Sequence, residues 1–262
     1  MLAEVEEMVA KRFRIIAHRG ASGYAPENTM AAFELALRMG ATEVETDVQF
    51  TKDRKVVIFH DTNLDRITSG KGRVSNHTLE ELRRLDAGSW FKPPPGWERS
   101  YAGERIITLE ELLQRFGTRL TYHAEIKEYQ EGLVAATIAT IEEKGLSDNC
   151  FITAIDKRSA MEARRLAPKI RVGWAIPRSF NKGTLDEAKR QGFNQVIVEV
   201  QEADPEVVKY GQEMGLEIRA STIRDRDAMI RAVEAGCNGM TINWPDWLIE
   251  YVKNRESKQT RY

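Results

Sequence analysis

The sequence predicts an eight-stranded (βα)8 barrel of the TIM type, and three observations predict it. Short apolar runs alternate with amphipathic helical patterns from end to end. The 262 residues suit one such barrel, for which about 250 is usual. No glycine-rich G-x-G-x-x-G turn follows the first apolar run, which disfavours a doubly wound sheet.

The elements follow in order. Ile15-Ile16-Ala17 make a strand over 14–18 that stops at His18, Arg19 and Gly20. Barrel strands are covered on both faces, so they read as apolar runs. Pro26-Glu27-Asn28-Thr29 supplies a turn and an N-cap for a helix over 29–39, with Met30, Phe33 and Leu37 on one face and Gly40 as its stop. Further strands are expected at 43–49, 120–127, 151–155, 171–176, 195–200, 217–221 and 240–243. Helices are expected at 109–116, 131–144, 157–166, 185–191, 205–214 and 225–234.

One run breaks the alternation. Val56-Val57-Ile58-Phe59-His60-Asp61 is strand-like, yet only residues 51–55 separate it from the second strand. A parallel crossover needs about a dozen residues, so the two runs are expected to form an antiparallel hairpin. With Asp53-Arg54 as a two-residue loop, Asp47 would lie opposite His60. Residues 62–107 carry turn signals, a short helix near 79–85, and Trp90 and Trp97. They read as a small cap inserted over the barrel mouth, within one catalytic domain spanning 1–262.

Bulk properties exclude several functions. Basic and acidic residues nearly balance, 39 against 40, so nothing points to nucleic acid or a membrane surface. Cys150 and Cys237 lie far apart and outside any C-x-x-C pattern, and read as core thiols in a reducing compartment. No window approaches the roughly 18 apolar residues of a membrane span. The first thirteen residues carry three glutamates and no uninterrupted apolar run, which makes the cytoplasm the expected location. The tail from Tyr251 reads as a fraying helix end.

Barrel active sites are built at the C-terminal strand ends. Those ends carry His18-Arg19, Glu45-x-Asp47, His60-Asp61 and Glu125-x-Lys127. The i, i+2 spacing puts Glu45 with Asp47, and Glu125 with Lys127, on one strand face. Three carboxylates converging on one rim repel each other unless a cation sits among them. Carboxylate-only ligands favour a hard divalent ion, Mg²⁺ or Ca²⁺. His18 and His60 beside it could share general acid and general base, with Arg19 and Lys127 suited to phosphate.

The ordered motifs His18-Arg19-Gly20, Pro26-Glu27-Asn28-Thr29, Glu45-Thr46-Asp47-Val48, His60-Asp61, Leu64-Asp65-Arg66-Ile67-Thr68, Gly70, Leu109-Glu110-Glu111 and Glu125-Ile126-Lys127 resemble the glycerophosphodiester phosphodiesterase family. The resemblance covers the first half closely and the second half in layout. It implies His18 and His60 as the acid/base pair, Glu45, Asp47 and Glu125 as ligands of one divalent cation, and Arg19 and Lys127 as phosphate binders. It further implies cleavage of glycerophosphodiesters to glycerol 3-phosphate and an alcohol, through attack by the substrate's own 2-hydroxyl and a cyclic phosphate. The stretch from His60 to Ile107 corresponds to the family's insertion.

The sequence departs from the family in two places. Arg54 stands where its hairpin turn usually has glycine, and Ala220-Ser221-Thr222 and Thr241-Ile242-Asn243-Trp244-Pro245 replace its "WTV" and "TD-P" patterns. The lost tryptophan alters the wall facing the alcohol, which Trp174 or Trp244 could fill, while Glu199 could meet a cationic head group. Structural roles are expected for His123 as a hydrogen-bonded barrel-core residue, Asp61 as an orienting group and His77 on the surface. Rival readings are cleavage of lysophospholipids, with Trp90, Phe91, Pro93, Pro95 and Trp97 sheltering an acyl chain, or of sugar phosphodiesters. A binding barrel without turnover is another. A metal-dependent amidohydrolase ranks below these, since only four histidines are present and none forms H-x-H.

Overall fold

The computed structural model describes residues 13–176 and 179–251; residues 1–12 and most of the tail read above lie outside them. Strand β1 (Arg14–His18) leads to helix α1 (Met30–Met39), then β2 (Glu43–Phe50) and β3 (Val56–Ile58). Helices α2 (Leu79–Arg83) and α3 (Leu109–Phe116) precede β4 (Thr121–Ile126). Strand and helix then alternate through α4 (Leu133–Glu143), β5 (Cys150–Ala154), α5 (Lys157–Leu166), β6 (Arg171–Ile176), α6 (Lys182–Arg190), β7 (Gln195–Glu199), α7 (Pro205–Glu213), β8 (Glu217–Ile223), α8 (Arg226–Glu234) and β9 (Gly239–Ile242).

Eight parallel strands run β1-β9-β8-β7-β6-β5-β4-β2, and a β1–β2 pairing closes the barrel. Local chemistry sets the helix starts. The Thr29 hydroxyl accepts from Ala32 N at the head of α1, and Gly40 ends that helix in the left-handed region at φ 96°. Thr108 and Glu111 form a capping box on α3. A second box, Asn181 with Thr184, starts α6 at Lys182 rather than at the expected Leu185.

The hairpin corrects the expected register. β2 and β3 pair antiparallel as Val48 with Ile58 and Phe50 with Val56. Thr51 N donates to Lys55 O and Arg54 N to Thr51 O, both at 3.0 Å. The loop therefore has three residues, 52–54, and Phe59 N reaches Asp47 O at 3.0 Å in the place assigned to His60. The cause is Arg54, which adopts φ 61°, the left-handed position that closes a three-residue loop. Its guanidinium lies 4.0 Å above the Phe50 ring and donates to Glu131 O at 2.6 Å. Those contacts hold a non-glycine residue in a conformation that costs about 1 kcal/mol.

The insertion packs in two parts. Leu64, Ile67, Val74 and Leu82 form a small core with Val57 and Phe59 of the hairpin. The rest leans on the flank after β1. Trp97 stacks on Tyr24 at 4.3 Å, and the Tyr101 hydroxyl donates to Tyr24 O at 2.9 Å. The segment thus contacts the hairpin, the loop that follows β1 and, through Thr62 and Arg73, Glu128 after β4.

Candidate active site

The first strand ends in a double left-handed turn, Arg19 at φ 54° and Gly20 at φ 82°. A Cβ on Gly20 would sit 2.5 Å from the Ala32 backbone carbon, so only glycine lets helix α1 pack this close. The turn sends Arg19 N to Glu45 O at 3.0 Å and swings its guanidinium across the rim. There Nη1 donates to Glu27 at 2.8 Å, and Nε lies 3.2 Å from Asp47 Oδ2.

Register does the rest. His18 is level with Glu45 across β1–β2, and Asp47 is level with Glu125 across β2–β4. Asp47, 1% exposed, is surrounded by donors. Asn28 Nδ2 reaches its Oδ2 at 2.7 Å, and Lys127 Nζ stands 3.4 Å from its Oδ1 and 2.7 Å from Glu125. Burial would raise the Asp47 carboxyl, but the Arg19 and Lys127 charges outweigh it and hold the group well below the usual range. Glu45 moves the other way, because burial and the charges of Asp47 and Glu125 push its carboxyl well above normal.

Each histidine at the rim is anchored through Nδ1. His18 Nδ1 lies 2.6 Å from Asn243 Oδ1, which fixes the proton on Nδ1 and leaves Nε2 an open acceptor, 3.8 Å from Glu45. Burial first, and the Arg19 charge second, push the His18 imidazole down to about 4. His60 Nδ1 lies 2.6 Å from Asp61 Oδ1. Asp61 in turn receives Arg66 Nε at 2.6 Å, and the same guanidinium grips Glu27 at 2.7 Å.

A cavity of about 370 Å³ opens beside this cluster, lined by His18, Arg19, Glu45 and Glu125 on one side. Residues 18–247 match the glycerophosphoryl diester phosphodiesterase family. The chain belongs to that family. It is an enzyme of the phosphodiesterase class, and the cavity is its candidate active site. YhdW of Bacillus subtilis (strain 168) is 37% identical over 242 residues, covering 90% of this chain and 96% of its own. A glycerophosphodiester phosphodiesterase of the same organism is 32% identical, covering 90% of this chain and 85% of its own. An Oleispira antarctica phosphodiesterase, solved with the product sn-glycerol-3-phosphate, superposes with a TM-score of 0.82 at 27% identity over 92% of this chain and 97% of that one.

The phosphodiesterase fold gathers His18, Arg19, Glu45, Asp47, Glu125 and Lys127 at one rim, and His60 is tied to Arg19 through Asp61, Arg66 and Glu27; Asp47, His60 and Lys127 are not in the cavity lining. Among the described residues, no three His, Cys, Asp or Glu side chains form a group ready to hold a metal ion; the Lys127 ammonium stands between Asp47 and Glu125. Neither Trp174 nor Trp244, the two candidates for the alcohol wall, is in the cavity lining. Trp174 donates to Ile155 O and packs on Phe193, and Trp244 stacks on Trp247 at 4.4 Å. Residues 62–107 contribute nothing to the lining either. Glu199 does line it. His123 is a core group as expected, with Nε2 2.9 Å from Glu43.

Sequence reasoning missed Arg219. This guanidinium is 2% exposed, lines the cavity, and leaves Nε and Nη1 without hydrogen-bond partners. The signal was present in Glu217-x-Arg219-x-Ser221, a polar face on a strand that a closed barrel must bury. No described helix is long and apolar enough to cross a membrane.

Proposed function

We propose that this phosphodiesterase hydrolyses glycerophosphodiesters, small soluble molecules, to glycerol 3-phosphate and an alcohol, with one divalent cation and His18 and His60 as its acid/base pair. What carries the reading is one cavity wall holding an open imidazole nitrogen, a guanidinium and two carboxylates, in a chain matched to this family from His18 onward.

The donor chemistry fits a hard cation: Glu45, Asp47 and Glu125 offer only carboxylate oxygens, and burial first, then the Asp47 and Glu125 charges, raise Glu45, a penalty that an added positive charge would relieve. Glu45, Asp47 and Glu125 would hold Mg²⁺ or Ca²⁺, which supplies positive charge to the phosphoryl oxygens when bound. The chain's own groups do the remainder. Arg19 and Lys127 bind and orient the phosphate. One histidine takes the proton of the substrate's 2-hydroxyl as that oxygen attacks phosphorus, and the other protonates the departing alcohol. Water then opens the cyclic phosphate with the two roles exchanged. The Nδ1 anchors on Asn243 and Asp61 aim each ring through these transfers, and an internal nucleophile carries a large proximity advantage.

The test is release of glycerol 3-phosphate from a panel of glycerophosphodiesters before and after EDTA treatment. Activity should vanish with chelation and return with Mg²⁺ or Ca²⁺. Full activity in EDTA overturns the cation, and no release from any ester overturns the reaction.

A further inference from the structure

The cavity has a second half that the chemistry above does not use. Opposite His18 and Glu45 it is walled by Ile155, Ala175, Ile176, Ile197 and Ile223, from or beside strands β5 to β8. Glu199, at the end of β7, enters this wall on the same strand face as Gln195 and Ile197, directly across from the small Ser221 of β8. It is partly buried, and its carboxylate has no hydrogen bond or ion pair among the described residues. Arg224 lines the same cavity from an exposed position and likewise has no partner among the described residues. The buried Arg219 lines the same cavity deeper in β8, level with Ile197; burial lowers its guanidinium, and the Glu45, Glu125 and Glu43 charges offset that only in part.

A partly buried carboxylate beside isoleucines, with no partner among the described residues, is free to accept a cation that a ligand brings. We propose that this half of the cavity is a subsite for the departing alcohol and that it selects alcohols bearing a primary ammonium, which Glu199 accepts as a charge-assisted hydrogen bond. The inference rests on the phosphodiesterase reading above. Two features narrow the class. Among the described residues no Phe, Tyr or Trp ring lines the cavity, so the cation–π cage that suits a quaternary ammonium is missing there. A primary ammonium instead offers hydrogens to a carboxylate. Ethanolamine and serine both present one, and Arg224 adds a partner for the serine carboxylate alone.

The experiment measures kcat/KM on the glycerophospho esters of ethanolamine, serine, choline and glycerol. The wild-type enzyme should favour the ethanolamine and serine esters over the glycerol ester by about tenfold or more, the effect of one charge-assisted hydrogen bond. Glu199→Gln should collapse that ratio toward one, chiefly through KM, and Glu199→Lys should turn it below one. Arg224→Met should lower only the serine ester, which separates the two sources of ammonium. Equal rates on all four esters, or an ethanolamine-to-glycerol ratio unchanged in Glu199→Gln, overturns the subsite alone. A uniform loss across all four esters in both Glu199 variants, with circular dichroism unchanged, also overturns it and assigns Glu199 to the shared glycerol. Turnover of none of the four by the wild-type enzyme overturns the phosphodiesterase reading itself.

Discussion

Lowering the pH below about 6.5 should destabilise the barrel, and His123 should be a main cause. Its ring is fully buried, lies 4.4 Å from the Phe151 ring in a stacked pair, and meets the Glu43 carboxylate through Nε2 at 2.9 Å. A carboxylate only accepts, so Nε2 carries the proton and Nδ1 is a bare acceptor with no partner. Protonating Nδ1 would bury an unpaired donor near the Arg219 and Arg14 charges. Burial, the largest cause, pushes the imidazole from 6.5 down to about 3. The folded state therefore binds fewer protons than the unfolded state between those values, so stability rises with pH and is lost as pH falls below about 6.5. At about 1.4 kcal/mol per pH unit, acidification from pH 7.5 to pH 5 removes about 2 kcal/mol through this residue. Urea unfolding across that range, on wild type and on His123→Gln, isolates it. The glutamine amide still donates to Glu43 but does not titrate, and His18 contributes equally to both proteins. The variant should lose about 2 kcal/mol less than wild type over this window. Parallel stability curves for the two proteins would refute the reasoning.

Other outcomes follow from the same structure. His18→Ala and His60→Ala should each lower kcat by about 10²-fold or more with little change in melting temperature; a fully active double variant would remove the pair from the mechanism. A 2-deoxy analogue of the substrate should bind as a competitive inhibitor and turn over several orders of magnitude more slowly, whereas cleavage within about tenfold of normal would make water the first nucleophile. Gly20→Ala should cost about 2 kcal/mol or more in thermal unfolding, because the added Cβ meets the Ala32 backbone at 2.5 Å with φ at 82°. Asp47→Asn should weaken binding of the divalent cation and lower activity together, the outcome for a ligand of that cation; unchanged values of both would contradict that role.

The barrel was legible because burial on both faces writes each strand as an apolar run, and the rim was legible because Glu45-x-Asp47 and Glu125-x-Lys127 put charge where such a strand cannot leave it unpaired. The same rule would have found Arg219, but a lone arginine on a strand reads as a solvated face until its parity with Glu217 and Ser221 is counted. The hairpin register was hidden for another reason. A three-residue loop advertises itself by glycine in the left-handed position, and Arg54 fills that position through contacts with Phe50 and Glu131 that only the folded chain provides. Trp174 and Trp244 stayed open as candidates because tryptophan near a strand end can turn either way; here Trp174 packs on Phe193 and Trp244 on Trp247.

Arg66 ties two loops that are distant in sequence into one mechanical unit. Through Glu27 it steadies Arg19, and through Asp61 it steadies His60, although its own side chain is 46% exposed. The short turn Leu64–Arg66 is therefore a clasp by which the insertion holds the loops after β1 and β3 in one arrangement. An exchanged insertion that fails to return a guanidinium to this point would release both loops at once.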